Sequence, residues 1–221
     1  GMHALWSVGG FAGAGLFGIW VGTFSLTPLA STGIAAAVMV LVTLAASRHL
    51  LPYGGDAGGK LLALPKGIVT FVGIIACIAF LVEGAIMDWG GVFLTTVRHF
   101  DMVLAGTGFT VFSAAMLTMR LLGDWTVQKL GQERVVIGGS LLAVAGFLLI
   151  IFALGVKLGV YPCLFFIGVG CANVVPVFFS LLGKQHVMPI SLAVPAVSTL
   201  GYLGILMGPA AIGFIAHQTS L

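Results

Sequence analysis

An all-α membrane protein that crosses the bilayer about seven times is the fold class this sequence predicts, and three observations carry it. Of 221 residues, 60% are hydrophobic and only 7% are charged, whereas a soluble domain devotes about a quarter of its residues to charge. The charges are clustered: residues 1–47, 67–82, 102–119, 135–156, 158–183 and 185–221 carry none. The uncharged runs are continuously apolar rather than alternating. That favours helices over barrel strands, the two ways a backbone satisfies its hydrogen bonds in lipid. The 33 glycines suit helices that approach one another closely.

The spans follow in order. As one helix, residues 1–47 would be about 70 Å long, twice the bilayer core. Ser25-Leu26-Thr27-Pro28 is the natural break, giving spans at 4–24 and 29–47. Residues 48–66, with glycines, Pro52 and charges, read as a polar linker in which His49 is solvated. Five further spans follow at 67–90, 102–122, 135–155, 159–182 and 191–215. Pro176, Pro195 and Pro209 are expected to kink the last two. Small-xxx-small pairs at Gly9/Gly13, Gly18/Gly22 and Gly204/Gly208 each place two small residues on one helix face, suited to packing or to sliding.

Lys and Arg set the orientation. With the first end inside, the inner segments hold Arg48, Lys60, Lys66, Arg120, Lys129, Arg134 and Lys184, and the outer ones Arg98 and Lys157. The first end is therefore expected at the cytoplasmic face. The net charge of +3 expresses this bias. It forms no basic stripe, so nucleic acid is not an expected partner. Met2 leads straight into apolar sequence with no basic segment or cleavage site, so no signal peptide is expected.

Few residues point to chemistry. Cys77, Cys163 and Cys171 fall inside spans without ligand spacing and read as packing residues. His3, His99, His186 and His217 lie at boundaries, and none pairs with a Glu or another His at ligand spacing, so no metal or other cofactor is expected. No serine–histidine–acid order or phosphate-binding glycine loop appears in its required context, and Gly168-x-Gly170 reads as helix packing. An enzyme is not expected. Glu83 is the exception to the charge spacing. It lies about 16 residues into its span, where a charge costs several kcal/mol unless paired or hydrated. Binding a polar solute, carrying a coupling proton and reaching outer water are its open roles. Asp88 and Trp89 are expected nearer the outer face, Trp89 either stacking on a solute or sitting in the aromatic belt. Asn173, mid-span beside Pro176, can bridge helices or bind a solute.

The segment from Arg120 to Arg134 places Asp124 at a helix end, a glycine turn at Gly131 and Arg134 before the next helix. It resembles the cytoplasmic signature loop of the major facilitator superfamily (MFS), with Trp125 in the usual basic position and Gln132-Glu133 after the glycine. The resemblance implies a gating role for Arg120, Asp124, Gly131 and Arg134. Four further segments are similar to helices five, seven, ten and eleven of a branch like the fucose permeases: His3–Ala14, Glu83–Trp89, Gly168–Pro176 and Gly201–Pro209. On that resemblance, 1–47 ends a first six-helix half, 48–66 is the central loop and 67–221 forms most of the second half. The chain then corresponds to helices five to eleven of twelve and reads as a fragment, its missing helices supplied by a parent transporter. The implied function is secondary active transport of a small polar solute, sugar-like and with protons as candidate coupling ion, in a bacterial inner membrane. A native seven-helix receptor or sensor is the alternative, although Lys60, Lys66, Lys129, Lys157 and Lys184 all lie at loops or boundaries, not where a retinal Schiff base needs one.

Overall fold

The computed structural model describes residues 2–49, 64–152 and 157–219. Every regular element among them is helical. We number them α1 (Met2–Gly22), α2 (Pro28–Ser47), α3 (Ile68–Thr96), α4 (Met102–Leu121), α5 (Gly123–Leu130), α6 (Gln132–Phe152), α7 (Val160–Cys171), α8 (Val174–Leu182) and α9 (Ile190–Gln218). Counting α7 and α8 together, six stretches among the described residues are long and apolar enough to cross a membrane, and α1 adds a shorter apolar stretch over Val8–Gly22. The chain is an integral, multi-pass membrane protein. Most of the 48–66 linker, including Lys60, lies outside the described residues.

The first turn forms where Pro28 places it. Ser25 takes a positive φ of 51°. Thr27 caps α2, its Oγ1 accepting from the Ala30 N–H at 3.2 Å, with Pro28 in the first turn, where its missing N–H costs nothing.

Three elements depart from the sequence expectation. α3 does not stop at 90 but runs to Thr96, because the single acid Asp88 and two glycines do not break it. Thr95 and Thr96 return their hydroxyls to carbonyls one turn back. The 120–134 segment is not an open loop. It holds the eight-residue α5, with Asp124 in its first turn and Lys129 in its last, each opposite the helix-dipole charge. Gly131 then ends α5 at φ 84°, a left-handed position that a side chain would strain. The 159–182 span is broken at Ala172-Asn173 into α7 and α8. By contrast, α9 runs unbroken through both Pro195 and Pro209.

Close packing comes from small residues. α9 lies along α3, and a Cβ on Gly204 would collide with the Cys77 carbonyl oxygen. α7 is wedged between two helices: Gly168 abuts the Phe112 carbonyl of α4, and Gly170 abuts Gly139 and Ala143 of α6. The Gly204/Gly208 pair and Gly168-x-Gly170 are therefore packing devices. Gly9, Gly13 and Gly18 differ, having nothing within 4 Å; α1 instead meets α4 through Gly10, near Phe109 and Ser113. One core gathers Ile86, Leu94, Phe112, Met116, Leu164 and Ile167; another joins Val69, Val72 and Ala76 of α3 to Ala193 and Val197 of α9. Cys163 and Cys171 are buried, Cys77 is half-buried, and all three are free thiols.

At the end of the bundle away from α5, Arg98 follows α3. Its guanidinium donates to the Ile150 carbonyl, one of the last four of α6, and lies 5.5 Å from the Phe93 ring. A cation near the C-terminal end of a helix is favourable. Arg98 is buried, so it ties helices together where an outer-loop charge had been expected.

Candidate ion-pair site in the helix bundle

Glu83 stands near the middle of α3, 15 residues from Ile68 and 13 from Thr96. The extension of α3 to Thr96 thus moves it from the outer part of a span to the centre of one. Arg120 is the penultimate residue of α4. Measured from the opposite end of the bundle, Glu83 lies about 20 Å down its helix and Arg120 about 27 Å down its own. The long arginine stem bridges that difference, and Arg120 Nη2 meets Glu83 Oε1 at 2.8 Å, with side chains 3% and 12% exposed respectively. Arg120, grouped in the sequence with the inner segment 120–134, ends its helix as a base there should, but its side chain is drawn into the bundle. An uncompensated carboxylate at depth is costly, and the guanidinium is the group that neutralises it.

The break between α7 and α8 completes the arrangement. Pro176 has no N–H, so the Ala172 carbonyl, four residues earlier, loses its helical donor. Arg120 Nε donates to that oxygen at 3.2 Å. Asn173 is buried and donates from Nδ2 to the Met119 carbonyl at 3.2 Å, one of the last four of α4. Two carbonyls without a helical partner are thus each satisfied by a side chain of the other segment, locking the end of α4 to the α7–α8 break. Gly123 makes the approach possible, since a Cβ there would fall 2.5 Å from Asn173 Oδ1.

Two spaces border the ion pair. Arg120 lines a cavity of about 620 Å³ at the α5 end, with Asp124, Gln128, Gln132, Asn173 and Ser180 supplying polar groups. Glu83 lines a chamber of about 40 Å³ between α1, α3, α4 and α9, where Ser113 is the other polar side chain among Gly10, Met87, Phe112 and Met116. The pair therefore stands between a roomy polar vestibule and a small, mostly apolar chamber.

The remaining candidates lie apart from it. Asp88 is exposed and points roughly 140° round α3 from Glu83. Trp89 donates from Nε1 to the Pro209 carbonyl at 3.1 Å and lies against Gly213, so it ties α3 to α9. Asp124 and Arg134 are exposed. Asp124 borders the vestibule, whereas Arg134 borders a separate small pocket with Met119, Thr126 and Asn173. Of the four proposed gating residues, Arg120 and Asp124 share the vestibule. His99 has a φ of 54°, and among the described residues no cluster of three metal-ligating side chains occurs.

No family model and no solved structure matches the chain. Curated proteins are. The whole chain is 43% identical to an uncharacterized MFS-type transporter of Yersinia pestis and covers 57% of that protein. Ninety-nine per cent of it aligns at 33% identity with an uncharacterized transporter of Sinorhizobium fredii, covering 58% of it. Two thirds of it is 29% identical to the membrane protein MosC of Rhizobium meliloti, covering 36% of that protein. The chain thus spans a little over half the length of the two relatives that match it from end to end.

Proposed function

The chain belongs to the major facilitator superfamily, and from that premise we propose that it forms part of a secondary active transporter, lining the path of a small polar solute that crosses by alternating access. The observation that carries this reading is the Glu83–Arg120 pair between two spaces, at mid-bundle. Ionisable groups at such depth are rare and mark solute or ion pathways. The broken α7–α8 segment beside it is the kind of discontinuity that transporters place at midplane sites. Neutral amides and a hydroxyl line the vestibule, and they suit a polar solute, including a sugar-like one.

In this reading α1 and α2 close one helical half and α3 to α9 build most of the other. Relative movement of the halves opens and shuts the two spaces in turn. The α5 end, which carries Lys129 and Arg134, faces the cytoplasm of a bacterial inner membrane. Asp124 and α5 sit at the mouth of the vestibule, where they act on its opening. Reconstitution into proteoliposomes of the protein expressed from its own gene tests the function. Saturable uptake of labelled small solutes, with counterflow from preloaded vesicles, is the expected result; uptake indistinguishable from protein-free vesicles across neutral, anionic and cationic solutes would refute it.

A further inference from the structure

We propose that an anionic phospholipid from the leaflet at the α5 end of the bundle binds beneath α5, with its phosphate on Arg134 and Lys129 and part of one acyl chain in the pocket under that helix. The site is separate from the ion pair, and nothing in it depends on which solute is carried. It follows from the three faces of α5. Asp124, Val127 and Gln128 turn to the vestibule. Thr126 and Leu130, one turn apart, line a second cavity of about 150 Å³. Trp125 and Lys129, also one turn apart, line neither space. Trp125 is 59% exposed, and Lys129 Nζ lies 4.9 Å from its ring centroid.

The pocket suits hydrocarbon. It follows α6 from Arg134 to Leu142, about 12 Å along the helix, which is within the roughly 15 Å of one leaflet's apolar layer. Met119, Leu130, Val135 and Leu142 give it apolar walls. Its two neutral polar side chains are already engaged, Thr126 with the Leu122 carbonyl and Asn173 with the Met119 carbonyl. An apolar space of this kind does not hold water well, and a lipid chain is the occupant its surroundings supply. Glycine makes the room. Gly139 packs against Gly170 of α7, whereas a Cβ on Gly138 would meet nothing within 4 Å.

Charge selects the headgroup. Arg134 borders the pocket and stands at the head of a stripe of α6 on which Ile137 and Leu141 are exposed. Apolar side chains exposed on a membrane-spanning helix face lipid, so Arg134 sits where hydrocarbon gives way to headgroups. Neither Arg134 nor Lys129 forms an ion pair with a described residue. With Glu133 beside them, two positive charges and one negative leave a balance of one positive charge. Each base near the membrane surface favours anionic lipid by about fivefold. Trp125 is the kind of side chain that settles at headgroup level, and Leu121 and Leu122, both exposed, anchor the same end. Asn173 lines both this pocket and the vestibule, so the lipid lies on the far side of the partition that α5 and Asn173 form.

The test uses the protein expressed from its own gene, titrated in detergent with equal amounts of a phosphatidylglycerol and a phosphatidylcholine of the same chains, with bound lipid counted by native mass spectrometry. The parent protein is expected to retain one phosphatidylglycerol with about fivefold preference over phosphatidylcholine. Arg134→Gln and Lys129→Gln, both at exposed positions, are each expected to bring the two lipids to parity. Gly138→Leu fills the pocket from an open position without touching a charge, and is expected to lose the retained lipid. Glycerol phosphate at millimolar concentration is expected to leave the lipid bound. Equal retention of both lipids by the parent, the result if another part of the protein covers α5, overturns the proposal. Undiminished retention by Gly138→Leu also overturns it, by reducing the site to surface charge. Displacement by glycerol phosphate overturns it too, by making the site one for a free phosphate.

Discussion

Replacing Arg120 by glutamine removes the partner of a buried carboxylate while keeping a shorter polar side chain that ends where the arginine Nε stands. At 2.8 Å the attraction between two unit charges is about 6 kcal/mol for an effective dielectric constant near 20. Desolvation of both groups offsets much of that, so the pair adds little net stability compared with a neutral pair. Breaking it is different, because Glu83 is left buried and charged, and the expected loss is about 3–5 kcal/mol. The bond from Arg120 Nε to the Ala172 carbonyl can be kept by the glutamine amide nitrogen, so the loss reports the ion pair. The double change Glu83→Gln with Arg120→Gln leaves no buried charge and is expected to recover all but about 1–2 kcal/mol. Denaturant titration in mixed micelles, followed by loss of helicity, gives the four corners of the cycle. Two single losses below about 1 kcal/mol that simply add would refute the claim that the groups are paired at depth.

Three further outcomes follow from the geometry. Gly204→Leu drives a side chain into the Cys77 carbonyl and should cost about 1–3 kcal/mol, while Gly13→Ala, with open space around it, should fall within about 0.5 kcal/mol of the parent in the same titration. Asn173→Ala removes the donor to the Met119 carbonyl; a loss of about 1–3 kcal/mol is expected, and no measurable loss would show that the bond does not fasten α4 to the break. Pro176→Ala restores an N–H that competes with Arg120 for the Ala172 carbonyl. Hydrogen exchange should then show the amide at 176 protected and the α7–α8 break closed, and an unprotected amide there would count against the proline as its cause.

Much of the fold was legible because lipid leaves few choices. Long uncharged runs became helices, and Ser25-Leu26-Thr27-Pro28 marked a turn because residues 1–47 are too long for one span. α5 was not legible. Eight residues with two charges look like a loop until Gly131 is seen to end a helix. The expected end of α3 at 90 falls short, because neither Asp88 nor Gly90-Gly91 ends a helix of 29 residues. Glu83 stood out on its own, but its partner did not. Residues 83 and 120 are 37 apart on different helices, and charge spacing carries no pairing information. Two signals were present: Arg120 lies one residue inside the end of α4, within arginine reach of mid-bundle, and Pro176 announces a carbonyl at Ala172 in need of a donor.

The most direct test of the account is the kinetics of solute uptake by Glu83→Gln in proteoliposomes, beside the parent protein and across a range of external pH. The account places Glu83 in the transport path, so insertion and folding should be retained while uptake falls at least tenfold or loses its response to pH. Uptake with the parent's maximal rate, half-saturation and pH profile would contradict it.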